Sequence, residues 1–356
     1  MKKFDYHLHH DADTEIIKSR DGFKETFRLA EVERACFLCI PTCKTPDILE
    51  NFKGLYYKDC LGKGMYTYAG LYHENLTDKA DKKAFAEDFY NQVKTYCENG
   101  FDGMKFLEGK PSQRRKFKVM LSDEVFDKAF GYLEEKQIPF NIHNADPATF
   151  WDEDAMPEDQ RLRGWYVGKE MPSKDELFYD IIAILKKHPN LKVTLAHFGF
   201  TTDNIAQAKE FLSYKNTMFD VCPGLEQYVN ITNNYDEWRA LIVANIDRFK
   251  FGTDCENLPH DNDWAKDFIY DKYNPLCRFF ETTDDFEVKY GKVKGIGLSA
   301  EEQYKIYYGN ALKEIGEPKP INYDWVRSEL ARIKKLNLTE RQQHELAVME
   351  EHFSNK

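Results

Sequence analysis

The chain has 356 residues, 42% of them hydrophobic and 15% aromatic, and its 61 acidic against 50 basic side chains give a formal net charge of -11. That length can bury a large core, while no apolar run reaches the ~20 residues of a membrane helix, which excludes a spanning segment. Lys and Arg scattered among an excess of acids exclude a nucleic-acid partner. The N-terminal residues lack the apolar region of a signal peptide, and the eight cysteines sit mostly inside apolar runs, so reduced thiols and a cytoplasmic location are expected. Cys36, Cys39 and Cys43 come close to zinc-knuckle spacing, but residues 35–40 read as a buried strand and no second Cys/His pair lies near them.

Residues 4–9, Phe-Asp-Tyr-His-Leu-His, read as a short strand. Alternate strand side chains share a face, so His7 and His9 project together while Leu8 points back, and two imidazoles at that pitch can hold one metal ion. A polar loop is expected over 10–22, then a helix through Phe23, Phe27 and Ala30, a strand over 35–41, a helix over 47–61 and a strand over 65–72. Thr77 opens a helix that places Phe85, Phe89, Val93 and Tyr96 on one face. A strand over 101–107 leads past Gly109 and Pro111 to a helix over 122–136, capped by Ser122. The strand over 138–143 is followed by an unusually long connection, 144–172, carrying Trp151, Trp165, Tyr166, Arg161 and Arg163, which reads as a lid. Ser173 and Glu176 form a capping box for the next helix. Strands over 191–197, 217–222 and 248–254 alternate with helices over 202–214 and 235–245, and a second capping box, Ser299 with Glu302, opens a helix ending near Ile315. Two helices over 324–353 form a tail.

Eight strands, each followed by a helix, predict a parallel sheet closed into an α/β (β/α)8 TIM barrel over residues 1–318, with a C-terminal helical extension over 319–356. No glycine-rich phosphate turn follows the first strand, which removes the main support for a dinucleotide fold. Active sites of such barrels lie at the carboxyl ends of the strands. His7, His9, Lys105, His143, His197 and Asp254 all fall at such ends and face one mouth.

In its ordered set of motifs the chain resembles the amidohydrolase superfamily, and within it the amidohydrolase-related branch that includes enzymes of the aminocarboxymuconate-semialdehyde decarboxylase type. The motifs are Asp5-Tyr6-His7-Leu8-His9, Asp102-Gly103-Met104-Lys105, Asn141-Ile142-His143, Leu195-Ala196-His197-Phe198-Gly199, Gly252-Thr253-Asp254 and Tyr308-Gly309-Asn310-Ala311-Leu312. The resemblance implies that His7, His9, His143 and Asp254 are metal ligands, that His197 is the acid/base or polarising histidine, and that Asp254 also accepts a proton. Where related decarboxylases follow the fourth-strand lysine with His-Pro, this chain reads Phe106-Leu107-Glu108-Gly109-Lys110-Pro111, so a different substrate pocket is expected.

Three imidazoles and one carboxylate leave a divalent ion positive, with an open position for a water of lowered pKa. The resulting expectation is a metal-dependent hydrolase of a small-molecule C-N or C-O bond. The alternative is a nonoxidative decarboxylase of an unsaturated or aromatic acid. One Zn2+ is expected, with Mn2+ and Fe2+ as alternatives; a second ion would require a carbamate on Lys105. Lys105, Arg161, Arg163 and Trp165 are the expected substrate contacts, and the tail is expected to pack on the barrel or on the second subunit of a homodimer.

Overall fold

Strand β1 (Lys3–His9) is buried along its whole length, as a strand of a parallel sheet covered on both faces must be. The computed structural model describes residues 1–10, 14–43, 46–73, 81–115, 118–222, 226–256 and 273–356. Seven strands follow: β2 (Val32–Leu38), β3 (Met65–Gly70), β4 (Gly103–Phe106), β5 (Phe140–Ile142), β6 (Val193–Leu195), β7 (Thr217–Asp220) and β8 (Phe249–Lys250), each parallel to its predecessor. The chain after β8 closes the ring. Tyr6 N–H donates to the Phe251 carbonyl and Asp254 N–H to the His7 carbonyl, both at 2.9 Å, and β9 (Cys255–Glu256) pairs with Leu8 and His9. The eighth barrel strand is thus bent between its two halves, and the architecture is the expected (β/α)8 barrel.

Local chemistry explains most helix boundaries. Both expected capping boxes form, at Ser173 with Glu176 and at Ser299 with Glu302. The helix Glu124–Lys136 is capped by Asp123, whose carboxylate accepts from Val125 N–H, and not by Ser122. The expected loop over 10–22 is helical from Ile16: Glu15 caps the helix Ile16–Ala30, and Ile16, Ser19, Phe23, Thr26 and Phe27 bury one face. Tertiary burial there overrides the weak local propensity of Ser19, Asp21 and Gly22. The expected helix start at Thr77 lies outside the described residues, and the helix is described from Lys82 to Glu98 with Asp81 as its cap. A π-helical turn at Lys305–Gly309 interrupts the last barrel helix and leaves the Ile306 carbonyl to accept from Phe251 N–H at 2.9 Å.

The barrel interior is filled on two levels. At the amino ends of the strands, Lys250 of β8 pairs with Glu314, donates to Thr194 Oγ1 of β6 and lies 3.6 Å from the centre of the Tyr6 ring of β1. Ala311, Leu312 and Ile315 plug this end against Phe4, Tyr6, Tyr66 and Tyr68. Lys250→Met would leave the buried Glu314 carboxylate without its cation. A loss of about 3–5 kcal/mol is expected in urea unfolding, with metal binding at the opposite end unchanged.

The tail helices Tyr323–Ile333 and Glu340–Ser354 pack on the barrel's own helix Glu50–Cys60. Trp325 stacks on Phe52, Lys53 bridges Asp47 and Glu345 at 2.7 Å each, and His352 meets Asp59 at 2.6 Å. No helix among the described residues is long and apolar enough to cross a membrane.

Candidate active site

The second level of the interior lies at the carboxyl ends of the strands. His9 Nδ1 is 2.7 Å from the Leu38 carbonyl; a carbonyl only accepts, so this nitrogen carries a hydrogen, and the neutral ring with that tautomer offers the Nε2 lone pair to a metal. His7 Nδ1 is 2.9 Å from Asp220 Oδ2. Burial pushes the His7 imidazole down to about 3, so the ring is neutral and its one hydrogen faces the carboxylate. Burial alone would raise Asp220, but His7 and the backbone N–H of His197 hold it far below the usual carboxylate range.

The Nε2 atoms of His7 and His9 then face each other at 3.0 Å, and Asp254 Oδ1 stands 3.4 and 3.3 Å from them. Two imidazole nitrogens and a carboxylate oxygen thus converge on one point, with Lys105 Nζ 3.5 Å from His7 Nε2 on the inner side. Ligands about 2.0–2.2 Å from a tetrahedral ion are about 3.3–3.6 Å apart; the two separations to Asp254 match and the 3.0 Å between the imidazoles is slightly short, so the donor set suits a divalent metal. His197 Nε2 is 3.9 Å from Asp254 Oδ2, and His7, His197 and Asp254 are close enough to share one ion. His143 stands at the edge: its Nε2 meets Asp146 at 3.2 Å and Lys110 at 3.3 Å, and its ring lies 5.3 Å from that of His197.

The backbone around these groups is strained in the way functional sites often are. His197, Phe198, Gly199 and Phe200 are four successive left-handed residues with φ between 54° and 59°, and Asp254 has φ 51°. A side chain at Gly252 would meet His7 Cβ at 2.8 Å and Cys222 Sγ at 2.7 Å, so only glycine lets the last strand approach β1 here.

Above the cluster opens a cavity of about 700 Å³ lined by His143, His197, Asp254, Lys110, Asp146, Phe150, Arg163, Trp165, Phe200, Tyr228 and a hairpin. The long connection 144–172 forms one wall, as the lid reading expects. It is not irregular throughout, since it holds short helices at Ala148–Trp151 and Glu158–Leu162 and an apolar cluster of Phe150, Met156 and Val167. Lys110 and Arg163 lie 5.1 and 5.3 Å from the Trp165 ring. Arg161 is exposed and does not line the cavity. Lys105 is buried beneath the cluster, 3.5 Å from His7 Nε2, and donates to Asn141 Oδ1 at 2.6 Å; burial pushes its ammonium down to about 8.

The opposite wall is the antiparallel pair β10 (Asp285–Val288) and β11 (Gly291–Lys294), which supplies Phe286, Val288, Tyr290 and Val293. The alternation from Phe286 to Val288 before Gly291 is a hairpin signal that a count of eight barrel strands passes over. The two walls meet where Lys289 pairs with Asp159 at 2.5 Å and Gln160 donates to the Tyr290 hydroxyl at 2.9 Å. Asp159→Ala should cost little stability, because the pair is exposed. It should raise KM about tenfold, with kcat and metal content unchanged in steady-state assays.

The sequence matches the model of the amidohydrolase family over residues 85–314, well over half of the chain. No curated protein matches. Similar solved structures include 2,6-dihydroxybenzoate decarboxylase from Rhizobium, 14% identical, covering 88% of this chain and 99% of that one with a TM-score of 0.50. Another is 2,6-dihydroxybenzoate decarboxylase complexed with 2,6-dihydroxybenzoate, also 14% identical, covering 88% and 98% with a TM-score of 0.51. At such identity the likeness speaks for a shared barrel. The match over residues 85–314 shows that the chain belongs to the amidohydrolase family.

Proposed function

We propose that the protein is a metal-dependent nonoxidative decarboxylase of a planar aromatic or unsaturated carboxylic acid. The observation that carries this reading is the cavity wall: Phe150, Trp165, Phe200, Tyr228, Phe286 and Tyr290 enclose a space suited to a flat, conjugated molecule, with Lys110 and Arg163 at hand for anionic groups. Sharing a barrel with a decarboxylase of a dihydroxybenzoate supports the same choice. Hydrolysis of a C-N or C-O bond, the leading expectation from the sequence, would use the same donors but gives these walls no comparable role.

His7, His9 and Asp254 would hold the ion, with His143 and His197 beside it, zinc being the first choice and manganese or iron the alternatives. When bound, the ion supplies the positive charge that fixes the substrate's oxygen atoms over the cluster. Lys110 faces the same space and orients the acid. His197, with Asp254 beside its Nε2, is placed to deliver a proton to the carbon that carries the carboxylate. The carbon–carbon bond breaks with its electron pair left on that carbon, CO2 leaves, and the proton from His197 is taken up by that pair. The lid and hairpin exclude water from the carbanion-like carbon.

The test is to load the protein with Zn2+ or Mn2+ and screen hydroxybenzoates and unsaturated acids beside amides and lactones. Release of CO2 from an acid is expected. Turnover of amides or lactones alone would overturn the reading.

A further inference from the structure

Asp220 ends β7 and is wholly buried, yet the proposed reaction gives it nothing to do. Among the described residues of the barrel mouth, its carboxylate nonetheless accepts four hydrogen bonds. Oδ2 accepts from His7 Nδ1 and from Asn141 Nδ2, both at 2.9 Å, while Oδ1 accepts from the backbone N–H of His197 at 2.7 Å and of Cys222 at 3.4 Å. Asn141 is itself oriented, because Lys105 donates to its Oδ1 and so turns its NH2 toward Asp220.

From this geometry we infer that Asp220 is a positioning residue with two outputs. It holds His7 as the Nδ1–H tautomer, so that Nε2 presents a lone pair to the ion, and it anchors the left-handed turn that aims His197. The inference rests on the reading of His7 as a ligand. Partners that fix a ligating imidazole in this way typically change metal affinity by about 10–100-fold when removed. One carboxylate here serves both the ligand and the proton-transfer histidine, so the two should fail together.

A neutral amide cannot replace it. In Asp220→Asn, a single oxygen can face either His7 and Asn141 or the N–H groups of His197 and Cys222, and the NH2 group then meets donors on the other side. Facing His7, the NH2 forces the imidazole into the Nε2–H tautomer, which cannot bind metal through Nε2.

The experiment pairs chelator competition for Zn2+ with 15N NMR of the histidine rings in the metal-free protein, His7 being assigned from its absence in a His7→Gln variant. The wild type is expected to show His7 as Nδ1–H, and Asp220→Asn to bind Zn2+ about 10–100-fold more weakly with His7 shifted toward Nε2–H. A wild-type His7 in the Nε2–H form, or a folded Asp220→Asn protein of unchanged affinity, would overturn the inference. Should the variant fail to fold, the wild-type tautomer decides alone. A wild type that binds no Zn2+ would instead sink the ligand reading, and the tautomer result would still stand.

Discussion

His197→Ala is expected to keep its metal and to lose about 10²–10⁴-fold in turnover, the range associated with a positioned proton-transfer group. The two effects separate because His197 Nε2 is 3.9 Å from Asp254 Oδ2, whereas the tight donor triangle of His7, His9 and Asp254, with sides of 3.0–3.4 Å, does not need it. Among the described residues its buried Nδ1 has no hydrogen-bond partner, while Asp254 stands beside Nε2, which favours the proton on the nitrogen that faces the cluster. Single-turnover rates measured beside elemental analysis check the split, and loss of metal from this variant would move His197 into the ligand set.

His9→Ala is expected to do the reverse. The substitution removes one corner of the triangle and takes from the Leu38 carbonyl its partner on His9, while Asp220 keeps all its donors, so the barrel should fold while the ion is lost. His7→Ala is a harsher change, because it also takes from the buried Asp220 carboxylate one of its two side-chain donors. A ligand at a hundred times its dissociation constant adds about 2.7 kcal/mol to stability. Zinc should therefore raise the melting temperature of the wild type and leave that of His9→Ala unmoved. Activity of the variant should fall below detection, and retention of both metal and turnover would remove His9 from the site.

Some of this was legible in the chain because it is local. Two histidines two residues apart on a buried strand, a glycine before Thr253 and Asp254, and the capping boxes at Ser173 and Ser299 carry their meaning within a few residues, and the βα alternation carries the barrel. What escaped depends on distant partners. Asp220 sits in an apolar run and acquires its place only through His7, 213 residues away in sequence. The hairpin at 285–294 becomes a cavity wall only because the connection 144–172 folds to meet it. The helix start at Ile16 follows from burial against the barrel, where propensity alone favours a loop. Arg161 and Arg163 are two residues apart on a short helical turn, and only the fold decides that Arg163 faces the cavity and Arg161 the solvent.

The most direct measurement is a titration of metal-free protein with Zn2+ or Mn2+, following bound metal and CO2 release from an accepted acid together. Lone-pair atoms from His7, His9 and Asp254 converge on one point, and Lys105 is held by Asn141. Binding and activity should therefore rise together and saturate near one equivalent. Saturation only at two equivalents, or CO2 release that persists in rigorously metal-free protein, would contradict it.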